Sequence, residues 1–168
     1  MCWNWLKAII ALPGMVMVIV PAAILFLTRK TPWAASFARP GEIWFWLGLG
    51  FTLTGLLLIR ATMTLHLSPG EGTPAPWDPP KKLIIAGPYR YVRNPMISGV
   101  FAMLMAETFL LKSTPLGIWF LVFLVGNMVY LPLYEEKALD ERFGAEYGEY
   151  KANVPRWLPR LRPWEPEV

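Results

Sequence analysis

Four long apolar stretches, each bounded by charge, set the pattern of this chain. No charged residue falls between Lys7 and Arg29, between Glu42 and Arg60, or between Lys112 and Glu135. Between Arg93 and Lys112 the only one is Glu107. A helix of about 20 apolar residues crosses a hydrocarbon core of about 30 Å. Only helices and closed barrels satisfy their own backbone there. The gaps therefore predict four helical spans, at about residues 8–27, 43–64, 96–111 and 115–134. No small-residue cleavage site follows the first span and three more come after it, so it is expected to be retained. Pro13, Gly14 and Pro21 predict a kink in it. Gly48, Gly50 and Gly55 predict close approach of a neighbour to the second.

The polar stretches predict the rest. Residues 68–80 carry five prolines and exclude helix or central strand; with Trp77 they read as a stiff, docked loop. Asn94 can cap the third helix, with Pro95 at its first position, where a missing N–H costs little. After the fourth span, a wheel at about 100° per residue puts Leu139, Phe143, Tyr147 and Tyr150 in one stripe. Glu136 falls inside that stripe and Glu135 at its edge, whereas Lys137, Asp140, Glu141 and Lys151 point away. At least one carboxylate is thus expected to face the protein, where it needs a cationic or donor partner.

Composition agrees with a membrane class: 55% of residues are hydrophobic and 17% charged. The expected fold is all-α, an integral membrane bundle of about four transmembrane helices plus a cytoplasmic or interfacial C-terminal helix. It is read as one membrane domain over residues 1–168. Lys7, Arg60, Lys81, Lys82, Arg90, Arg93 and the six basic residues after position 134 fall on one side of this arrangement, against Arg29, Lys30, Arg39 and Lys112. The positive-inside rule puts both termini, the 65–94 loop and the 135–168 segment in the cytoplasm. The host is expected to be a plasma or inner membrane. Trp44, Trp46, Trp119, Trp157 and Trp164 lie near span ends, as interfacial tryptophans do. A net charge of +4 suits an anionic leaflet and calls for no nucleic acid. One cysteine, Cys2, and one histidine, His66, leave no zinc set, so no metal is expected. No glycine-rich phosphate loop or GxSxG is present either.

The chemistry then falls to Arg, Glu, Tyr, Asn and backbone groups. Gly87-Pro88-Tyr89-Arg90-Tyr91-Val92-Arg93-Asn94-Pro95 opens the third span, whose free N–H groups attract an anion. Glu135-Glu136 follows the fourth span on the same side. Cations, a helix start and carboxylates together suit a small zwitterion; an interfacial ion pair that docks the tail is the plainer alternative. Glu107 lies about 18 Å along its helix from Pro95, nearer the far interface. It has two readings, an intramembrane functional acid or a packing hydrogen bond. Arg60 reads as snorkelling to headgroups, and His66 is open between site and surface. Met96, Met103 and Met105 read as span packing or lipid contact, not a cofactor feature. Arg156, Arg160 and Arg162 read as a membrane-surface tail.

These residues resemble the isoprenylcysteine carboxyl methyltransferase and phospholipid methyltransferase superfamily of integral membrane enzymes. The resemblance runs from Gly72-Thr73 to Pro159. It rests on the 87–96 run, Gly99, Glu135-Glu136, Leu139, Phe143-Gly144, Tyr147, Tyr150 and Val154-Pro155-Arg156-Trp157. It implies transfer of a methyl group from S-adenosylmethionine, with S-adenosylhomocysteine as product, to a lipophilic acceptor such as a lipid amine or prenyl-type carboxylate. Gly87, Tyr89, Arg90, Arg93 and Pro95 are then expected to form one wall of a cofactor site. Glu136, with Glu135, would bind the cofactor's amino or ribose groups, and Tyr147 and Arg156 would close it. Arg90, Arg93 and Asn94 would orient the acceptor, with Glu107 a further catalytic candidate. Many members carry histidine where this chain has Asn94, and a tyrosine near Ile97-Ser98. Asn94 keeps a donor and a cap but lacks the imidazole.

Partners are expected to be the lipid acceptor and membrane lipids; oligomeric state has no signature in the sequence. The alternative to an enzyme is a small membrane interaction or sensor protein in which the arginine loop and glutamate helix clamp each other. A transporter is a third reading, poorly served by one internal acid and no evident repeat.

Overall fold

The computed structural model describes residues 10–65 and 82–166. The expected loop 68–80, Trp77, His66, Lys81, Lys7, Cys2 and the beginning of the first span at 8 and 9 lie outside the described residues. Every regular element among the described residues is helical. A π-helical stretch, Ile10–Ile19, runs into α1 (Val20–Thr28). Then follow α2 (Ile43–Leu65), a 3₁₀ turn (Gly87–Arg90) and α3 (Pro95–Leu110). Helix α4 (Thr114–Tyr130) passes through a π turn (Leu131–Glu135) into α5 (Glu136–Phe143), and α6 (Ala145–Asn153) closes the series. The irregular first helix contains Pro13 and Gly14, which the sequence marks as its weak point.

Among the described residues, two helices are long and apolar enough to cross a membrane: Ile43–Leu65, with 23 residues, and Thr114–Phe143, with 30. A core helix of a soluble protein would be mostly covered, yet only 11% of each apolar window is buried. Leu53, Leu56, Leu57, Leu121, Val122 and Val129 are all exposed. Such continuous apolar faces belong in lipid. Gly14–Thr28 and Pro95–Leu110 are shorter apolar helices. At about 1.5 Å per residue the fourth helix reaches about 45 Å, beyond a core of about 30 Å, so its final third extends past the hydrocarbon. Glu135 and Glu136 sit in that final third.

Contacts group the chain into two compact units, Met1–Leu57 with Gly99–Leu124, and Leu58–Ser98 with Val125–Val168. In the first, a Cβ added at Gly55 would meet Met103 Cγ at 2.8 Å and Gly99 O at 2.9 Å, and one at Gly48 would meet Leu110 Cγ at 2.5 Å. These two glycines make the close approach expected of α2. Gly50 does not, because nothing lies within 4 Å of its added Cβ. Lys112 terminates α3 with φ 41°, its N–H donating to Phe109 O while that of Ser113 donates to Thr108 O. This is a Schellman closure with lysine in the usual glycine place. Lys112 Nζ also lies 2.8 Å from Glu42 Oε2.

The second unit has its own small core, Tyr147, Tyr150 and Val154, packed by Leu83, Ile85, Leu139, Phe143 and Trp164. The expected stripe therefore exists, but one continuous wheel does not produce it. The helix breaks at Gly144, whose φ of 53° and ψ of −121° suit a residue without Cβ. The chain re-enters helix at Ala145, and Tyr147 and Tyr150 are turned onto the same core. Lys151 and Asp140, both expected to point away from it, meet outside it at 2.7 Å.

Candidate functional site

Three segments carry most of the candidate residues in the second unit: a turn, a helix and a proline-spaced tail. The turn is built by Gly87, which takes φ 53° and so permits the chain to fold into the 3₁₀ segment. Pro88 follows at the first helical positions. Pro95 is fully buried at the first position of α3, as expected. The π turn containing Pro132 carries α4 into α5 and aims Glu136 inward, where it is 5% exposed, while Glu135 stays on the outer surface. A helix-interior proline removes a ladder bond, and a π turn is one way to absorb it.

The tail is irregular, with bends at 156–158 and 161–162, because Pro155, Pro159 and Pro163 recur too closely for helix. It runs antiparallel to the turn. Arg93 N donates to Pro155 O at 2.9 Å, Arg160 N to Tyr91 O at 2.9 Å, and Trp164 N to Arg90 O at 2.9 Å. Both tail donors follow a proline directly. Asn94 contributes its side chain to this seam, Nδ2 lying 3.4 Å from Arg156 O, which is the bond seen for it in place of the expected cap. Tyr150 Oη donates to Tyr89 O at 2.7 Å and ties α6 to the turn.

At the centre stands Glu136. Arg156 grips it in a fork, Nε to Oε1 at 2.7 Å and Nη2 to Oε2 at 2.8 Å. Arg93 Nη1 comes within 3.0 Å of the same Oε1, with 10% of its side chain exposed. Its N–H is not aimed along that line, so Nη1 and Nε are buried with no hydrogen-bond acceptor among the described residues. Two guanidiniums face one carboxylate, leaving the trio with one surplus positive charge and two unused donors. Buried donors without acceptors are costly and rare, so they mark a position where an acceptor is wanted.

The electrostatics follow from burial. Tyr147 has its phenol pushed up to about 12, first by burial and then by the Glu136 carboxylate; Arg93, hydrogen-bonded to it, pulls the other way. Tyr89 is raised by burial and by Glu135, and Tyr150 by burial and by its neighbour Tyr89. All three stay neutral donors at physiological pH. The hydrogen bonds that Arg156 donates to the Glu136 carboxylate hold it more firmly protonated than usual.

Of the residues picked from sequence, Gly87, Tyr89, Arg93, Asn94, Pro95, Glu136, Tyr147 and Arg156 are brought into this one unit, with Glu135 at its surface. Arg90 is there too but is turned to the tail, with Nε on Trp164 O at 3.1 Å and Nη2 ion-paired with Glu165. Glu107 belongs to the other unit, half-buried, with Oε2 lacking a hydrogen-bond partner among the described residues. Sequence reasoning missed Tyr150 as a tie between helix and turn, and Trp164 and Glu165 as anchors for Arg90. The spacing of the tail prolines was the available signal for the seam.

A family model described as phospholipid methyltransferase matches residues 43–146. No curated protein and no solved structure matches the chain.

Proposed function

Since the chain belongs to the phospholipid methyltransferase family and is a membrane methyltransferase dependent on S-adenosylmethionine, we propose that the Arg93–Glu136–Arg156 trio is its cofactor wall and that it methylates a phospholipid headgroup. The observation that carries this reading is the pair of buried, unused donors on Arg93. The cofactor fits them: its methionine end bears a carboxylate, which takes charge-assisted hydrogen bonds from a guanidinium and from a helix start such as that at Pro95. Its ammonium group suits Glu135, or the lone pairs still open on Glu136.

When bound, the cofactor supplies a methyl group activated on a sulfonium. The residues of this chain have positioning as their task, because in-line transfer gains mainly from alignment and exclusion of water. Glu136 holds both guanidiniums at fixed angles. Arg93 supplies the anion contact, and Tyr147 and Tyr150 close the wall with neutral phenols. Asn94 stands at the seam between turn and tail. A headgroup amine must lose its proton to accept a methyl group, whereas a carboxylate acceptor arrives ionised.

The topology proposed with this reading has four spans, the two shorter apolar helices joining the two long ones. Both termini and the site lie on the cytoplasmic side, following the distribution of basic residues. Calorimetry with S-adenosylhomocysteine on purified protein tests the cofactor wall. One-site binding that is lost in Arg93→Gln supports it; equal affinity in wild type and Arg93→Gln overturns it. Methyl label from the cofactor should appear in the lipid extract of reconstituted vesicles. Label confined to water-soluble material would refute a lipid acceptor.

A further inference from the structure

The tail beyond the cofactor wall presents two leucines to the outside. Leu158 is 79% exposed and Leu161 fully so. Both lie at bends of a proline-spaced chain, and each leucine left in water forgoes its burial. The charges beside them are one-sided. Glu165 is consumed by Arg90, and Arg156 by Glu136. Arg160 spends one N–H on Asn153 O, at 2.8 Å, and has no carboxylate partner among the described residues; Arg162 is exposed.

The position of this segment is tied down. Pro155 and Arg156 are bonded to Arg93 and Asn94, and the next residue, Pro95, starts an apolar helix. The backbone bond from Arg160 to Tyr91 O holds residues 157–160 against the same turn. At about 3.3 Å per residue, Leu158 and Leu161 lie within about 20 Å of the beginning of α3. Both leucines therefore stay near the end at which the proposed topology takes α3 into the membrane.

We propose that residues 157–162 are a docking strap for an anionic bilayer surface, with Leu158 and Leu161 inserted among the acyl chain ends and Arg160 and Arg162 set against acidic headgroups. The inference rests on the membrane topology proposed above, and not on the cofactor assignment. Basic residues near an anionic leaflet gain attraction that falls off within a Debye length. Apolar insertion plus cationic attraction is the combination by which interfacial segments bind. A protein partner would need no charge of one sign here; an acidic lipid surface does.

The test uses the full chain with Cys2→Ser and Leu161→Cys, labelled with bimane and reconstituted in phosphatidylcholine vesicles with or without phosphatidylglycerol. Lipids brominated high on the acyl chain should quench the probe, more strongly with phosphatidylglycerol, and Arg162→Gln should reduce that difference. A probe at Glu149→Cys, on the exposed side of α6, should respond to aqueous iodide only. A Leu161→Cys probe quenched by iodide and not by bromolipid overturns the proposal, as does quenching indifferent to anionic lipid. Energy transfer between differently labelled copies, in place of lipid quenching, would assign the strap to a second copy and also overturn it. None of these readouts needs bound cofactor, so failure here and failure of the cofactor wall are separable.

Discussion

Arg156 and Glu136 form a two-pronged pair, with N–O distances of 2.7 and 2.8 Å, across a carboxylate that is almost wholly buried. Such a fork carries direction as well as charge, and lysine cannot reproduce it. Arg156→Lys is expected to weaken S-adenosylhomocysteine binding roughly tenfold or more, about 1.4 kcal/mol per factor of ten. Glu136→Ala leaves two guanidiniums facing each other and should abolish binding. Calorimetry on the two variants checks both, and wild-type affinity in Glu136→Ala would remove the pair from the site.

Tyr150→Phe deletes the 2.7 Å bond to Tyr89 O while keeping the ring in its core. A buried hydrogen bond is worth about 1 kcal/mol net. The variant should melt a few degrees lower in detergent than wild type. An unchanged melting point would mean that the turn is held by the tail seam alone.

Alanine at three glycines separates conformational from steric demand. Gly144→Ala forces a Cβ into φ 53°, ψ −121°, at a cost of about 1–3 kcal/mol. Gly55→Ala must displace Met103 or the backbone at Gly99, and overpacking of this kind costs about 1–3 kcal/mol. Gly50→Ala has open space and should be neutral or slightly stabilising in a helix. Thermal melts of the three proteins rank them, and a destabilised Gly50→Ala would contradict the packing described.

The raised phenols predict alkaline sensitivity. Tyr147 moves from 10.0 to about 12, and Tyr89 and Tyr150 are raised as well. A neutral group whose folded value is raised gives stability that is fully present below its unfolded value. That contribution is intact below pH 10 and is lost as pH climbs through about 12. Phenolate absorbance should lag behind that of the unfolded chain over this window, and Tyr147→Phe should remove part of the lag. Normal titration of all the tyrosines in folded protein would contradict their burial.

Much of this site was legible because charge is scarce in an apolar chain. Most of the cations lie on the same side of the apolar spans as Glu136, so an inward-facing carboxylate there had partners within reach, the arginines at 90 and 93 among them. The ends of α2 and α3 and the start of α4 were legible too, since charge gaps and Pro95 mark them, whereas the helix expected to end at about 134 runs on through a π turn to Phe143. The break at Gly144 was not, because the stripe continues through it at nearly helical spacing and glycine inside a helix is tolerated at modest cost. The roles of Arg90 and Arg93 also could not be told apart by type. Two residues separate them, yet one is spent on Glu165 and the other keeps unused donors beside Glu136. That choice depends on where the tail crosses the turn, a tertiary fact with no local signature.

The seam between turn and tail also dictates an order of assembly. Asn94 and its partner Arg156 are 62 residues apart, and helices α3 and α4 lie between them. At about 10 residues per second of synthesis, roughly six seconds pass between the appearance of the two. Glu136 appears about four seconds into that interval, and for the remaining two or so it and Arg93 lack the fork that fixes them. Contacts of such long sequence separation form late, after the loop they close has been constrained. The apolar hairpin is thus expected to be in place first, with catalytic competence arriving only when the tail has been laid down.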